Sequence, residues 1–254
     1  MSLSDQIPLP YENSGPDTSS DSLEDFYLRY SEWVNYVGGV LLSVGECTRL
    51  SGGSRLSVPA PTIVRDTDGV GSIMQQLPMR LFGAAWVQLA TIYEVYLAEL
   101  IGEALRDNLE LISIEEKQLT TAEIFALGDF GKIRERLIDR WVFKFGMGSY
   151  PVKVDRLQSK FHIGIHSDRA PIEIFDVHDF VEVRNVLSHS DGHASSEYHE
   201  RMSGYGRQTL LRGRYASPTV DFRWLMGFSE RLAELCDFIE LEMSDRWDIS
   251  SRAA

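Results

Sequence analysis

Three side chains with useful chemistry, Arg184, Asn185 and His189, lie close together in the stretch DFVEVRNVLSHSDG, residues 179–192. Arginine stays charged and binds phosphate through two parallel hydrogen bonds, and the asparagine amide is a neutral donor. Histidine titrates near neutral pH and acts as an acid or a base. Together these residue types can hold a phosphate group and move a proton next to it.

Their positions on the expected helix leave an ordinary interpretation open. At about 100° per residue, Arg184 and His189 lie on opposite flanks of one apolar face, whereas Asn185 and His189 are one turn apart and can touch. An arginine at the edge of a core often extends its charged end to water, and a histidine often interacts with a helix C-terminus. Spacing alone does not separate the two interpretations.

A carboxylate inside an apolar helix adds to the pattern. Residues 78–106 form the strongest predicted helix, apolar on nearly all sides and therefore central. Glu94 lies in the middle of it among apolar neighbours, and an unpaired buried charge is costly. We therefore expect Glu94 to be paired, with Arg184 as a suitable counter-ion; alternatively, Glu94 caps another element or reaches water.

The periodicity of the chain predicts a mainly α fold of five to seven helices with long irregular loops. Helices are expected over residues 23–47, 78–106, 129–145, 171–188 and 217–247, with a short one starting at Thr120 or Thr121. Residues 151–168 are ambiguous, since FHIGIH fits a short strand or a buried loop, and 205–215 could form a short hairpin. Pro171 suits the first turn of its helix.

The expected organisation is one domain preceded by a tail. Residues 1–22 are rich in Ser, Pro, Asp and Asn and are predicted to be disordered. Residues 23–250 form a single domain with its core in 75–245, and the Gly/Ser/Pro-rich segment 51–72 is predicted to be a mobile loop.

Composition limits the possible functions. The net charge of −13 repels nucleic acid at long range, so an RNA site has to be a local basic patch. Cys47 and Cys236 are expected to be reduced core thiols. The first 22 residues show no signal-peptide pattern, and no uncharged apolar run reaches about 18 residues. We therefore expect no membrane span and a cytoplasmic location.

The R-N-x-x-x-H form of 184–189, followed by Ser190, Asp191, Gly192 and Tyr198, resembles the signature of the HEPN superfamily. The order of elements over about 75–245 is similar as well: an aromatic helix with an internal acid, a variable middle, the motif helix and a long final helix. The resemblance implies a helical bundle that dimerises so that two motifs face each other. It also implies a metal-independent endoribonuclease of bacterial defence or toxin–antitoxin systems, with Arg184, Asn185 and His189 as catalytic residues and Glu94 in support.

The resemblance also implies binding partners and leaves one alternative function open. RNA, a second copy of the chain and an antitoxin or defence-system protein are the expected partners, and no cofactor or metal is expected. One motif supplies one histidine, so acid–base chemistry with two histidines requires a second chain. Some members of the family have lost activity, and the alternative is a non-catalytic binding or regulatory module.

Basic residues are expected to hold the RNA backbone. The segment after the motif contains four arginines without an acid between them, and aromatic rings available for base stacking. The predicted RNA-binding residues are Arg201, Arg207, Arg212, Arg214 and Tyr198, with Tyr205 as a further stacking candidate. A second basic run occupies 130–160 and is more simply explained as a solvated charged face.

Other classes of site fit less well. His189, His193 and His199, with Asp191 and Glu200, have a spacing that could bind a metal, but a Gly/Ser-rich loop lacks the usual rigid support. His162 and His166 are a weaker metal candidate. The sequence GDFGK at 128–132 lacks the spacing and the Ser/Thr of a P-loop.

Overall fold

A computed structural model describes residues 20–51, 67–112, 119–165, 169–189, 196–207, 209–211 and 222–247; for 40–51, 67–80, 189 and 222 it describes only the backbone. Helices make up 82% of the described residues and no strand occurs among them, which confirms the mainly α prediction. The eight helices of this part of the chain are α1 (Asp21–Ser51), α2 (Thr67–Asp107), α3 (Thr121–Leu127), α4 (Phe130–Gly146), α5 (Tyr150–Phe161), α6 (Ile174–His189), α7 (Ser196–Ser203) and α8 (Phe222–Ser244), with a short 3₁₀ turn at Leu109–Leu111.

Helix α2 is central, as its apolar pattern predicts, and contacts α1, α4, α6 and α8. Its aromatic residues are buried, and their polar ends have partners, as buried polar groups require. Trp86 Nε1 donates to the Phe180 carbonyl of α6 at 2.9 Å, and the Tyr96 hydroxyl donates to the Cys236 carbonyl of α8 at 2.8 Å. These bonds fix α6 and α8 against α2.

The segment Leu81–Asp107 of α2 is also long and apolar enough to cross a membrane by length and composition, the one such helix in the described part of the chain. Half of its apolar window is buried inside the protein, and residues such as Leu89, Tyr93 and Leu100 are fully enclosed by the surrounding helices. This burial fits the core helix of a soluble protein. Cytoplasmic location stays a prediction.

Short polar signals define the starts of two smaller helices. Thr120 caps α3 with a reciprocal capping box to Glu123, and the Asp129 side chain accepts from the Lys132 N–H at the start of α4. Both starts agree with the sequence prediction.

The ambiguous segment 151–168 contains a helix. Pro151 lies in the first turn of α5, and His162, in the left-handed region at φ 60°, ends it. Residues 161–165 of FHIGIH are therefore a helix end followed by a buried loop through Ile163 and Ile165, and the strand interpretation was wrong for these residues.

Three other boundaries differ from the prediction. Helix α2 begins at Thr67, so residues 67–72 of the expected loop are helical. Adding residues to an existing helix costs less free energy than starting a new one, so the weak helix formers Gly and Ser are tolerated there. Helix α6 begins at Ile174, since the Glu173 carbonyl accepts the first N–H bonds and Pro171 lies before the helix. Helix α1 begins at Asp21, within the expected tail. Residues 1–19 and 52–66 lie outside the described chain, as do residues 208 and 212–215 of the expected hairpin.

Candidate functional site

The carboxylate of Glu94 joins three helices through two ion pairs. The Arg184 guanidinium of α6 contacts Oε2 of Glu94, and the Lys153 ammonium of α5 lies 2.6 Å from Oε1. The expected Glu94–Arg184 pair is therefore present in the structure, and Lys153 is a second partner that the sequence did not indicate. One carboxylate faces two cations, so the cluster has a net charge of about +1 when all three groups are ionised.

Lys153 is buried because of its position on α5. Tyr150, Val154 and Leu157 form the inward face of this short helix, and Lys153 lies beside them with only 5% of its side chain exposed. Burial lowers the pKa of its ammonium to about 8, whereas the adjacent carboxylate favours the charged form. Lys153 thus reaches Glu94 from inside the protein and not from its surface.

Arg184, like Glu94, is more exposed to solvent than Lys153. Its side chain is 19% exposed, and burial lowers the pKa of the guanidinium, which stays charged at any physiological pH. Its Nε–H has no hydrogen-bond partner among the described residues. That atom is enclosed, so a ligand reaches Arg184 only at the exposed part of its guanidinium.

A second polar cluster lies on the adjacent face of α6. The Arg201 guanidinium of α7 is 2.9 Å from Glu182, and His178 Nε2 is 3.7 Å from the same carboxylate. Burial acts to raise the pKa of Glu182, but the proximity of His178, Arg201 and Asn185 together lowers it. Asn185 is half-buried and follows Arg184 directly on α6, about one turn beyond Glu182.

The structure corrects the role predicted for Tyr198. This residue is 0% exposed, and its hydroxyl donates to Asp179 Oδ1 at 2.6 Å. The other oxygen of Asp179 accepts from the Leu210 N–H at 2.7 Å. Tyr198 therefore anchors α7 and the following segment to α6, and its ring is not available for stacking on a base. Tyr205 is partly exposed, with its hydroxyl 3.0 Å from His178 Nδ1.

The described arginines of the predicted RNA-binding segment have acidic partners. Arg201 pairs with the buried Glu182, and Arg207 pairs with Glu173 while its guanidinium lies 5.6 Å from the Phe175 ring centre. Arg212 and Arg214 lie outside the described residues. The two described arginines thus add less free positive charge to this surface than the sequence predicts.

The motif histidine is described by its backbone alone. His189 is the last residue of α6, four residues and about one turn beyond Asn185. Of the metal candidates, His166, Asp191 and His193 lie outside the described chain, while His162 and His199 are exposed. No group of three or more metal-binding side chains occurs in the part of the chain that the structure describes.

Sequence reasoning missed three members of these clusters: Lys153, His178 and Glu182. His178 and Glu182 are one helical turn apart, and that spacing within DVHDFVEV is the signal by which they could have been found. Lys153 is part of the 130–160 basic run, where no local feature distinguishes it from exposed neighbours such as Lys132 and Lys144. The solvated-face explanation holds for those two lysines and fails for Lys153.

Comparison with known proteins gives no relative: no family model, no curated protein and no solved structure matches the chain.

Proposed function

We propose that the chain is a metal-independent endoribonuclease of the HEPN type that acts as a homodimer, with Arg184, Asn185 and His189 of each copy in a composite site. The observation that supports this proposal is the fixed placement of Arg184 and Asn185 side by side on α6. Glu94 holds the guanidinium, and Asn185 follows Arg184 directly on α6 as a half-buried residue near the Glu182 carboxylate. Preorganised donors of this kind stabilise charge that develops on a phosphate in the transition state.

The reaction requires two proton transfers around one phosphorus atom. One histidine removes the proton of the ribose 2′-hydroxyl as its oxygen bonds to phosphorus. A second histidine donates a proton to the 5′-oxygen as the P–O5′ bond breaks, which leaves a 2′,3′-cyclic phosphate and a 5′-hydroxyl. In this mechanism His189 supplies one group and His189 of a second copy supplies the other. Arg184 stabilises the added negative charge on the phosphate, and Asn185 orients an imidazole or a phosphate oxygen.

The charge of the chain restricts how RNA is bound. A net charge of −13 opposes RNA at a distance, so recognition depends on the local positive charge around Arg184. We place this activity in the cytoplasm, in a bacterial defence or toxin–antitoxin setting with an antitoxin or defence-system protein as partner, on the strength of the motif resemblance.

The test is cleavage of single-stranded RNA in the presence of EDTA. We expect the wild-type dimer to cleave, and Arg184→Ala and His189→Ala each to lose at least about a hundredfold in rate, the usual scale for removal of a catalytic proton donor or charge. Matched controls are Arg223→Ala and His199→Ala, since both residues are exposed on other helices. A strictly monomeric wild-type protein, or cleavage only after metal is added, would refute the mechanism.

Mixing the two inactive variants tests the shared site. A heterodimer of Arg184→Ala and His189→Ala chains contains one arginine and one histidine, and the mechanism needs two histidines. We expect such a mixture to recover little or no activity. Full recovery would mean that one histidine is sufficient.

A second candidate, a non-catalytic binding or regulatory module, is favoured by one specific observation: Arg184 already has an acidic partner within its own chain. An arginine engaged by Glu94 can be retained for packing and charge balance alone. A folded dimer that cleaves no RNA, while Arg184→Ala lowers only stability, would support this candidate.

A further inference from the structure

The cluster around Glu94 contains one more cation than a structural ion pair requires. Arg184 alone would neutralise the carboxylate, but the Lys153 ammonium also lies 2.6 Å from it. Burial of an uncompensated charge is costly, and Lys153 is among the few charged residues that are almost completely enclosed. The extra cation therefore has an energetic cost in the free protein.

The two cations differ in what they can reach. Lys153 is 5% exposed and takes Oε1 of Glu94 from the inner side. Arg184 is 19% exposed and contacts Oε2, while its Nε–H is a buried donor without a partner among the described residues. An incoming ligand can thus approach the guanidinium of Arg184, while the ammonium of Lys153 acts only through Glu94.

We infer that Lys153 is a positioning residue of the Arg184 site: by compensating the charge of Glu94, it leaves the guanidinium of Arg184 with positive charge for a phosphate group of an RNA strand. This inference rests on the proposed function for the identity of the ligand. Without Lys153, the Glu94–Arg184 pair would be neutral overall and would attract a phosphate weakly. With Lys153, the pair is held in place and the cluster of three groups carries a net charge of about +1.

The experiment measures binding without cleavage. The probe is a fluorescein-labelled 2′-O-methyl RNA of ten uridines, which lacks the attacking hydroxyl, and the readout is fluorescence anisotropy with the full-length protein at fixed low salt. Lys153→Met removes the charge and keeps an apolar chain of similar length in the buried position. Lys132→Met is the matched control, because it makes the same change in net charge at an exposed lysine of α4.

We expect Lys153→Met to weaken binding about tenfold or more, the scale of one unit charge lost within several ångströms of the ligand, and Lys132→Met to change it less than about twofold because of screening. The double variant Glu94→Gln/Lys153→Met restores the charge of +1 and is expected to bind within about threefold of wild type. A purely structural role predicts instead that the second substitution adds to the loss.

Glu94→Gln alone keeps the test decisive if Lys153→Met does not fold. At about pH 6, where Lys153 keeps its proton in the variant, this substitution raises the charge of the cluster, so we expect tighter binding than wild type, whereas damage to a structural contact can only weaken it. Equal affinities for Lys153→Met and Lys132→Met, a double variant weaker than Lys153→Met, or no binding by the wild-type protein would each overturn the inference.

The results also separate this inference from the nuclease proposal. Affinities that follow the charge of the cluster in a protein that cleaves no RNA would support the role of Lys153 and reject the nuclease. RNA cleavage by the wild-type protein, without a specific effect of Lys153→Met on binding, would support the nuclease and reject the role of Lys153.

Discussion

Replacing Glu94 with alanine is the most direct test of the charge arrangement at the centre of the protein. The substitution leaves the Lys153 ammonium, 5% exposed, and the Arg184 guanidinium, 19% exposed, without their shared carboxylate. Removal of one partner from a buried ion pair costs about 3–5 kcal/mol. Arg184 can turn partly toward water and Lys153 can lose its proton, so we expect a loss of about 3 kcal/mol in the free energy of unfolding.

Urea denaturation followed by tryptophan fluorescence measures this loss. With a urea dependence of about 3 kcal/mol/M for a chain of this size, the midpoint is expected to fall by about 1 M. The loss should also depend on pH. Removal of Glu94 lowers the pKa of Lys153 below its value of about 8, so the folded variant gives up this proton at a lower pH than the folded wild type does. The difference in the free energy of unfolding between wild type and Glu94→Ala is therefore largest near about pH 6 and becomes smaller as the pH rises to about 8.

Glu99→Ala is the control for this prediction. Glu99 lies on the same helix and pairs with Arg29 at 2.9 Å, but the two side chains are 36% and 35% exposed. Exposed ion pairs contribute about 0–1 kcal/mol, so Glu99→Ala should have a small effect with little pH dependence. Equal losses at positions 94 and 99 would mean that the carboxylate of Glu94 is solvated, and the argument about Lys153 would be lost with it.

Two further predictions concern other buried groups. Burial raises the pKa of Glu103 to about 7 despite a hydrogen bond from Ser22. The folded protein therefore binds this proton more tightly than the unfolded chain, so stability falls as the pH rises from about 5 to about 7.5. Glu103→Gln should flatten this dependence in denaturation midpoints at pH 5.5 and 8, and an unchanged slope would contradict the assignment. Tyr198→Phe should cost about 1–2 kcal/mol, because it leaves the buried Asp179 without its hydroxyl donor; calorimetry should show less change for the exposed Tyr36→Phe, and equal changes would contradict it.

The parts of the fold that could be predicted from sequence depend on local patterns. The Thr120–Glu123 capping box and the Asp129 cap are complete within a few residues, and the aromatic period of α2 extends over several turns. The end of α5 is different. His162 is a non-glycine residue in the left-handed region, and its alternating apolar neighbours resemble a strand, so only tertiary packing decides the outcome.

In the candidate site, too, the sequence predicts some contacts and not those that depend on tertiary packing. The Glu94–Arg184 pair was predictable because a carboxylate in an apolar row requires a partner. Lys153 was not, because its burial depends on a contact with Glu94 across 59 positions of sequence. Tyr198 lies in a polar, arginine-rich stretch of sequence that predicts exposure. It is buried because Asp179, on another helix, accepts a hydrogen bond from its hydroxyl.

The two explanations of the Glu94 cluster, a structural ion pair and an anion-binding site, make different use of the second cation on Glu94. For a structural pair, Arg184 is sufficient, and replacing a buried ion cluster by apolar side chains is often neutral or stabilising. For an anion-binding site, the inner cation has a purpose, since it keeps Glu94 from cancelling the charge of the more exposed guanidinium. Lys153 cannot serve by direct contact with RNA, because its ammonium is enclosed and already bound to Glu94. Its position behind the carboxylate therefore favours the anion-binding interpretation of the site over the purely structural one.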